Sequence, residues 1–451
     1  MNFNGNLIAR LLLIVALFWT NLLSIEPLYS TPNSIFNSTL TMDITNPTRV
    51  SEVDIPRLWW ELLHEEREIF GLNPATAGWI TAYMGIALYE TAIVDLGDTS
   101  SLTAHLTTMP EMPLWESDSE YDAASGAIGT LSTVAEMLLL DTLPIGSSDR
   151  VVHQAIHGLR NLQIRDRLRY VKRAAFDSSY AHGQAIGQAV VEWTRQNEYP
   201  RGLQNSFVVP TGGEDYWKPT SHALPPLVPY WGTLPLLIDL SATSCVASKP
   251  MPFATRPGST VHMQAEEVYH FTHPLSAEQQ DIVDFWADSG TGAPVTRWML
   301  VASRIIDQKA LRLVDAAALY ARLGIVFHDV SILAWRTKYE KFLLRPETYI
   351  NRYIDNTWKP LQTTQNSPSY ISAAAAYSGA GAEVLTSVFG ISNFDETREG
   401  VNDRRIIRHF TTFEALAYES GMAQLYSGMN YRASIEAGWR QGRCIGRLVH
   451  L

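Results

Sequence analysis

The segment Trp335-Arg-Thr-Lys338-Tyr-Glu-Lys-Phe-Leu-Leu-Arg345-Pro346 decides how this chain is read. Lys338 and Arg345 are seven positions apart, so on a helix they lie two turns apart on one face. Two such cations usually mark nothing more than a solvated face. Here Trp335, Phe342, Leu343 and Leu344 flank them, which reads as a largely buried helix. Buried cations require a negative partner, because an isolated charge loses its hydration without recompense. The segment therefore predicts a negative partner for Lys338 and Arg345.

Downstream, Ser367-Pro-Ser-Tyr-Ile-Ser372 runs into Ala373-Ala-Ala-Ala-Tyr377-Ser-Gly-Ala-Gly-Ala-Glu-Val-Leu. Ser372 reads as the N-cap of a long helix, with Ala373 and Ala374 in its first turn. The free amides of such a turn favour an anion, although a Ser that caps a packed helix accounts for the pattern equally well. A third segment, Ala423-Gln424-Leu-Tyr-Ser-Gly-Met-Asn430-Tyr-Arg-Ala-Ser434, reads as a loop leading into a helix near Tyr431 and by itself proposes nothing.

The rest of the 451 residues fits a helical protein. Apolar residues make up 46% and charged residues 18%, enough for a sizeable core. Three- and four-residue apolar spacing predicts helices at Trp59–Phe70, Ala77–Val94, Ala123–Leu140 and Tyr170–Gln196, then Ala277–Trp286, Arg297–Leu323, Val330–Leu344, Ser372–Phe389 and Tyr431–Leu448. Gly183 and Gly187 suit a close helix crossing. From Pro210 to Pro257 nine prolines forbid long helices and predict an extended belt. Strand-like alternation is scarce, so the expected class is all-α. The divisions read as an N-terminal segment 1–30, a linker 31–50, a helical half 51–209, the belt 210–262 and a second helical half 263–451.

Arg10 and the apolar run 11–23 have the character of a signal peptide, with an uncleaved anchor or a buried terminal helix as alternatives. The expected location is therefore outside the cytoplasm, periplasmic or extracellular. A net charge of −11 argues against a nucleic-acid partner. Cys245 and Cys444 either pair or remain as two buried thiols; sequence does not decide between these.

Taken together and in order, the three segments resemble the vanadium haloperoxidases and type 2 phosphatidic acid phosphatases. That superfamily carries Lys-x6-Arg-Pro, then Pro-Ser-Gly-His, then Ser-Arg-x5-His-x3-Asp. Lys338 to Pro346 satisfies the first element, Ser372-Ala373-Ala374 stands at the second, and Gln424-x5-Asn430 with Ser434 stands at the third. Phe285-Trp-Ala-Asp288, Trp217-Lys-Pro-Thr, Pro229-Tyr-Trp-Gly232 and the stretch from Asn73-Pro74 to Tyr89-Glu90 resemble the family's surrounding texture. The resemblance implies two helical bundles related by an internal pseudo-repeat, with vanadate or phosphate cradled in the second. It also implies a partner that is a small oxyanion or small molecule, held by Lys338, Arg345, Ser372, Ala373, Gln424 and Asn430, with Asp288 and Ser434 in support.

The departures from the pattern are chemical. The acid–base histidine is Ala374, the histidine that bonds the metal or becomes phosphorylated is Asn430, one arginine is Gln424, and the orienting aspartate is Ser434. Each lost charge-assisted hydrogen bond is worth about 1.5–3 kcal/mol, so weak oxyanion binding is expected to survive. Losing a nucleophile or its base typically costs on the order of 10³-fold in rate, so peroxidase and phosphatase turnover are expected to fail. No catalytic residue or metal ligand is assigned, and no cofactor beyond the vanadate or phosphate of the resemblance. Two alternatives remain: non-vanadium chemistry using Lys338, Asp288 or Tyr377, or rescue by His328 or His409. His270 and His273, with Glu266 and Glu267, have loose metal-ligand spacing and read as surface or packing residues. No Walker loop, dinucleotide fingerprint, Gly-x-Ser-x-Gly or His-Glu-x-x-His is present.

Overall fold

A computed structural model describes residues 51–449 except 97–100, 119, 144–148, 197–206, 210–211, 221–224, 240–244, 273, 287–292 and 400–404. The N-terminal segment and the linker, and with them the apolar run 11–23, lie outside the described residues, as does Asp288.

The first bundle comprises α1 (Asp54–Glu65), α2 (Pro74–Ala92), α3 (Ala123–Thr142), α4 (Asp149–Arg167) and α5 (Arg173–Gln196). Asn73 starts α2 by accepting from the Ala75 and Thr76 amides, with Thr76 completing a capping box and Pro74 at the first position. Every residue of α2 except Tyr89 is buried, so it is a core helix rather than an amphipathic one. α3 and α5 cross closely: a Cβ on Gly183 would sit 2.0 Å from the Gly126 carbonyl oxygen.

The second half holds α6 (Thr260–Phe271), α7 (Ala277–Phe285), α8 (Ala293–Lys309), α9 (Leu313–Lys341), α10 (Pro346–Tyr353), α11 (Ala373–Phe389), α12 (Phe413–Tyr426) and α13 (Arg432–Leu448). α11 packs along α13, α12 and α9, while α9 packs lengthwise against α2 and joins the two bundles. Gly85 and Gly324 set that seam, since a Cβ on Gly324 would lie 2.6 Å from the Ala82 Cα. α3 and α9 are long and apolar enough to cross a membrane, but 72% and 83% of their apolar windows are buried as core.

The belt straps α9 through polar contacts. Asp329 accepts from the Leu237 and Ile238 amides at 2.8 and 3.1 Å. Trp231 donates to Ser331, and Trp335 and Tyr339 both donate to the Leu227 carbonyl. These bonds give the extended chain the partners that its missing secondary structure would otherwise supply.

Several expectations need correction. The predicted helices Arg297–Leu323 and Val330–Leu344 are divided elsewhere: the break is at Ala310, in the left-handed region, and one helix then runs unbroken from 313 to 341. Gly324 does not interrupt it because α2 covers it. α4, α6, α10 and α12 were not foreseen. The all-α expectation holds, with one short sheet among the described residues: Phe394–Glu399 and Arg405–Phe410 form an antiparallel hairpin with Phe394 opposite Phe410. Its buried face includes Glu396, which pairs with Arg304 and so hides the alternation. Cys245 and Cys444 are joined in a disulfide.

Candidate oxyanion site

The last turn of α9, the Phe342–Arg345 link and the start of α11 meet at one small hollow. α9 ends because Phe342 takes left-handed backbone and Pro346 opens α10. Lys338 therefore projects from the end of one helix and Arg345 caps the next, and each is only 1% exposed. Ser372 caps α11, its hydroxyl accepting from the Ala375 amide, while its own amide donates to the Ser434 carbonyl at 2.9 Å. The amides of Ala373 and Ala374 fall in the first turn, where no intrahelical acceptor exists.

Lys338, Arg345, Ser372, Ala373, Ala374, Gln424 and Asn430 line the hollow together, with Pro74, Pro294, Gln365 and Met429. The six residues expected to hold the oxyanion are thus brought to one place, whereas Ser434 contributes its backbone carbonyl rather than lining the hollow and Asp288 lies outside the described residues. The hollow is tight.

Among the described residues, all hydrogen-bond partners of the two cations are neutral. The Lys338 ammonium donates to the Pro368 carbonyl at 2.8 Å. Arg345 donates to the Ser367 carbonyl and hydroxyl and to the Met429 carbonyl at 2.7, 2.9 and 3.1 Å. Among the described residues no carboxylate forms an ion pair with either. Burial, reinforced by the neighbouring Arg345 charge, pushes the Lys338 ammonium well below its ordinary pKa. Burial likewise draws Arg345 down to about 10, which leaves a guanidinium charged at neutral pH. The Asn430 amide nitrogen is held by the Ser369 carbonyl at 2.9 Å and hydroxyl at 3.2 Å.

Sequence reasoning missed the carbonyls of Ser367, Pro368 and Met429, because backbone acceptors have no residue-type signature. The other candidates lie elsewhere. His328 hydrogen-bonds Asp329 under the belt, and His409 sits on the hairpin against Asp395 with its side chain 76% exposed. Tyr377 donates to the Pro74 carbonyl at 2.9 Å and does not line the hollow. Glu267 pairs with Arg432 and Glu266 with His262, so neither joins His270 in a cation site. His273 lies outside the described residues. No histidine among the described residues lines the hollow.

Residues 318–451 match the family model of the VCPO second helical-bundle domain. The chain resembles the crystal structure of a bacterial vanadium-dependent iodoperoxidase, with TM-score 0.78 and 24% identity over 89% of this chain and 96% of that one. This is the vanadium haloperoxidase fold. Two further structures share it, the apo and holo forms of a bacterial vanadium-dependent chloroperoxidase. Their TM-scores are 0.62 and 0.58, at 12% and 11% identity, covering 84% and 89% of this chain and 94% and 93% of theirs. No curated protein matches the sequence. Within the haloperoxidase fold, the hollow lies in the matched second-bundle region together with the Pro74 end of α2 and Pro294 of α8.

Proposed function

We propose that this haloperoxidase-fold protein binds a small tetrahedral oxyanion, or a small molecule bearing one, without peroxidase or phosphatase turnover. The observation that carries the reading is a pair of fully buried cations whose hydrogen-bond acceptors among the described residues are all neutral, around one hollow lined by no described histidine. Such a pair is electrostatically incomplete, and an anion supplies what the described protein groups do not. Phosphate, sulfate and vanadate suit it equally, since Lys338, Arg345 and the first-turn amides of α11 offer charge and donors in a cluster.

The residues fit an oxyanion held by charge and do not fit vanadate bonded to the protein. At the position where the resemblance places a metal-bonding imidazole, Asn430 offers an amide committed to Ser369. At the acid–base position, Ala374 offers no proton. Two charge-assisted bonds at about 1.5–3 kcal/mol each, less the cost of drawing Lys338 off its carbonyl, point to a Kd near the millimolar range (about −4 kcal/mol). The protein is also inferred to be exported, since a disulfide such as Cys245–Cys444 persists in oxidising compartments.

The test pairs binding with turnover. Phosphate and orthovanadate are titrated calorimetrically into the wild type and Lys338→Met, beside peroxide-dependent bromide oxidation and p-nitrophenyl phosphate hydrolysis. The expected result is weak anion binding in the wild type alone and no turnover in either. Vanadium retained through dialysis, with turnover abolished by Lys338→Met, overturns the inactive reading. Absence of anion binding overturns the site itself.

A further inference from the structure

The first bundle carries a second constellation, away from the oxyanion hollow and outside the residues matched by the family model. His153 and His157 stand four apart on α4 and so project from one face, with ring centroids 5.5 Å apart. Glu136 of α3 points between them. Its Oε1 lies 2.7 Å from His153 Nδ1 and 2.9 Å from His157 Nε2. One ligand-type atom from each of the three falls within 4.8 Å of the others.

We propose that Glu136, His153 and His157 form a divalent-cation site of the zinc class. Two imidazoles four apart on a helix suit borderline cations such as Zn²⁺, Cu²⁺ and Ni²⁺. In a tetrahedral zinc site, with bonds of about 2.1 Å, ligand atoms sit roughly 3.4 Å apart. The present convergence on one carboxylate oxygen is already near that span. Binding needs no backbone movement: each ring places its proton on its other nitrogen, and the cation takes the place of the shared hydrogen bonds. Three protein ligands leave at least one coordination position for water. The side chains are 41%, 40% and 22% exposed, so an ion has a direct path in.

The placement also gives the site a purpose. α4 buries only Val152, Ile156, Gln163 and Arg167, a thin apolar anchor for a helix of 19 residues. A cation bridging α3 and α4 fastens its first half to the bundle. Arg160 lies 3.9 Å from Glu136 Oε2, and this neighbouring positive charge competes for the carboxylate and weakens cation binding. The His-x-x-x-His spacing was present in the sequence, but nothing there placed a carboxylate beside it.

The test uses the full, untagged chain and ZnCl2 in a non-coordinating buffer. One zinc ion is expected to bind, with Kd weakened at least tenfold by Glu136→Gln or His157→Ala and binding lost in His153→Ala/His157→Ala. Thermal scans are expected to show zinc raising Tm in the wild type and not in the double variant. Because both histidines are partly exposed, the double variant should keep the wild-type Tm without zinc, which separates lost binding from lost folding. No binding to the wild type, or unchanged affinity in the folded double variant, overturns the site.

Discussion

Lys338 is the residue on which the electrostatics turn. Its folded pKa is depressed below the ordinary value near 10.5 by burial first and by Arg345 second. Between the depressed value and the ordinary one, the unfolded chain binds a proton that the folded chain does not. Stability therefore rises with pH across that window and falls as pH drops through it. A bound oxyanion favours the charged ammonium, raises the folded pKa and flattens the slope. In pH-dependent denaturation, Lys338→Met is expected to show a shallower rise than the wild type, and added phosphate is expected to flatten the wild-type curve toward it. A wild type and variant with parallel curves count against an unpaired buried amine. At neutral pH, phosphate at ten times its Kd should stabilise the wild type by about 1.4 kcal/mol and leave Lys338→Met unmoved. The side chains of this site were legible because Lys338, Arg345 and Ser372 have residue types and spacings that imply chemistry. The carbonyls of Pro368, Ser367 and Met429 that now occupy the cations were not, since any residue supplies a carbonyl and only the fold aims it.

At the scale of elements, the site depends on how tightly α13 holds the start of α11. A Cβ on Gly438 would lie 2.3 Å from the Ser372 carbonyl oxygen, and one on Gly442 would lie 1.9 Å from that of Ala376. Backbone cannot yield as a side chain does, so α13 must move outward. Gly442→Ala is expected to destabilise by about 1–3 kcal/mol or more, read as a fall in the denaturant midpoint. Gly438→Ala should add a specific loss of phosphate binding, because it displaces the N-cap residue itself. Ser372→Ala removes the cap and should cost about 1 kcal/mol. If Gly438→Ala weakens phosphate binding no more than Gly442→Ala does, the hollow is not set by this seam. The same scale explains what the sequence concealed. α2 and α11 were readable from a cap followed by an apolar run. α4 and α12 were not, because α4 is largely polar and α12 follows a hairpin whose buried face contains Glu396.

For the molecule as a whole, the disulfide ties the belt to the final helix. Cys245 and Cys444 are 199 residues apart, and Gln441 of α13 donates to the Cys245 carbonyl beside it. The loop they close includes α6 to α12 and every lining residue of the oxyanion hollow except Pro74. Chain-entropy reasoning gives about 5 kcal/mol for a loop of that length, an upper figure because the denatured chain keeps some structure. Cys245→Ser/Cys444→Ser is therefore expected to lose about 2–5 kcal/mol in equilibrium denaturation. It should retain phosphate binding under native conditions, since neither cysteine lines the hollow. Reductant should reproduce the loss in the wild type and do nothing to the double variant. A double variant as stable as the wild type shows that belt and bundle hold together through Asp329, Ser331 and the helix seams alone.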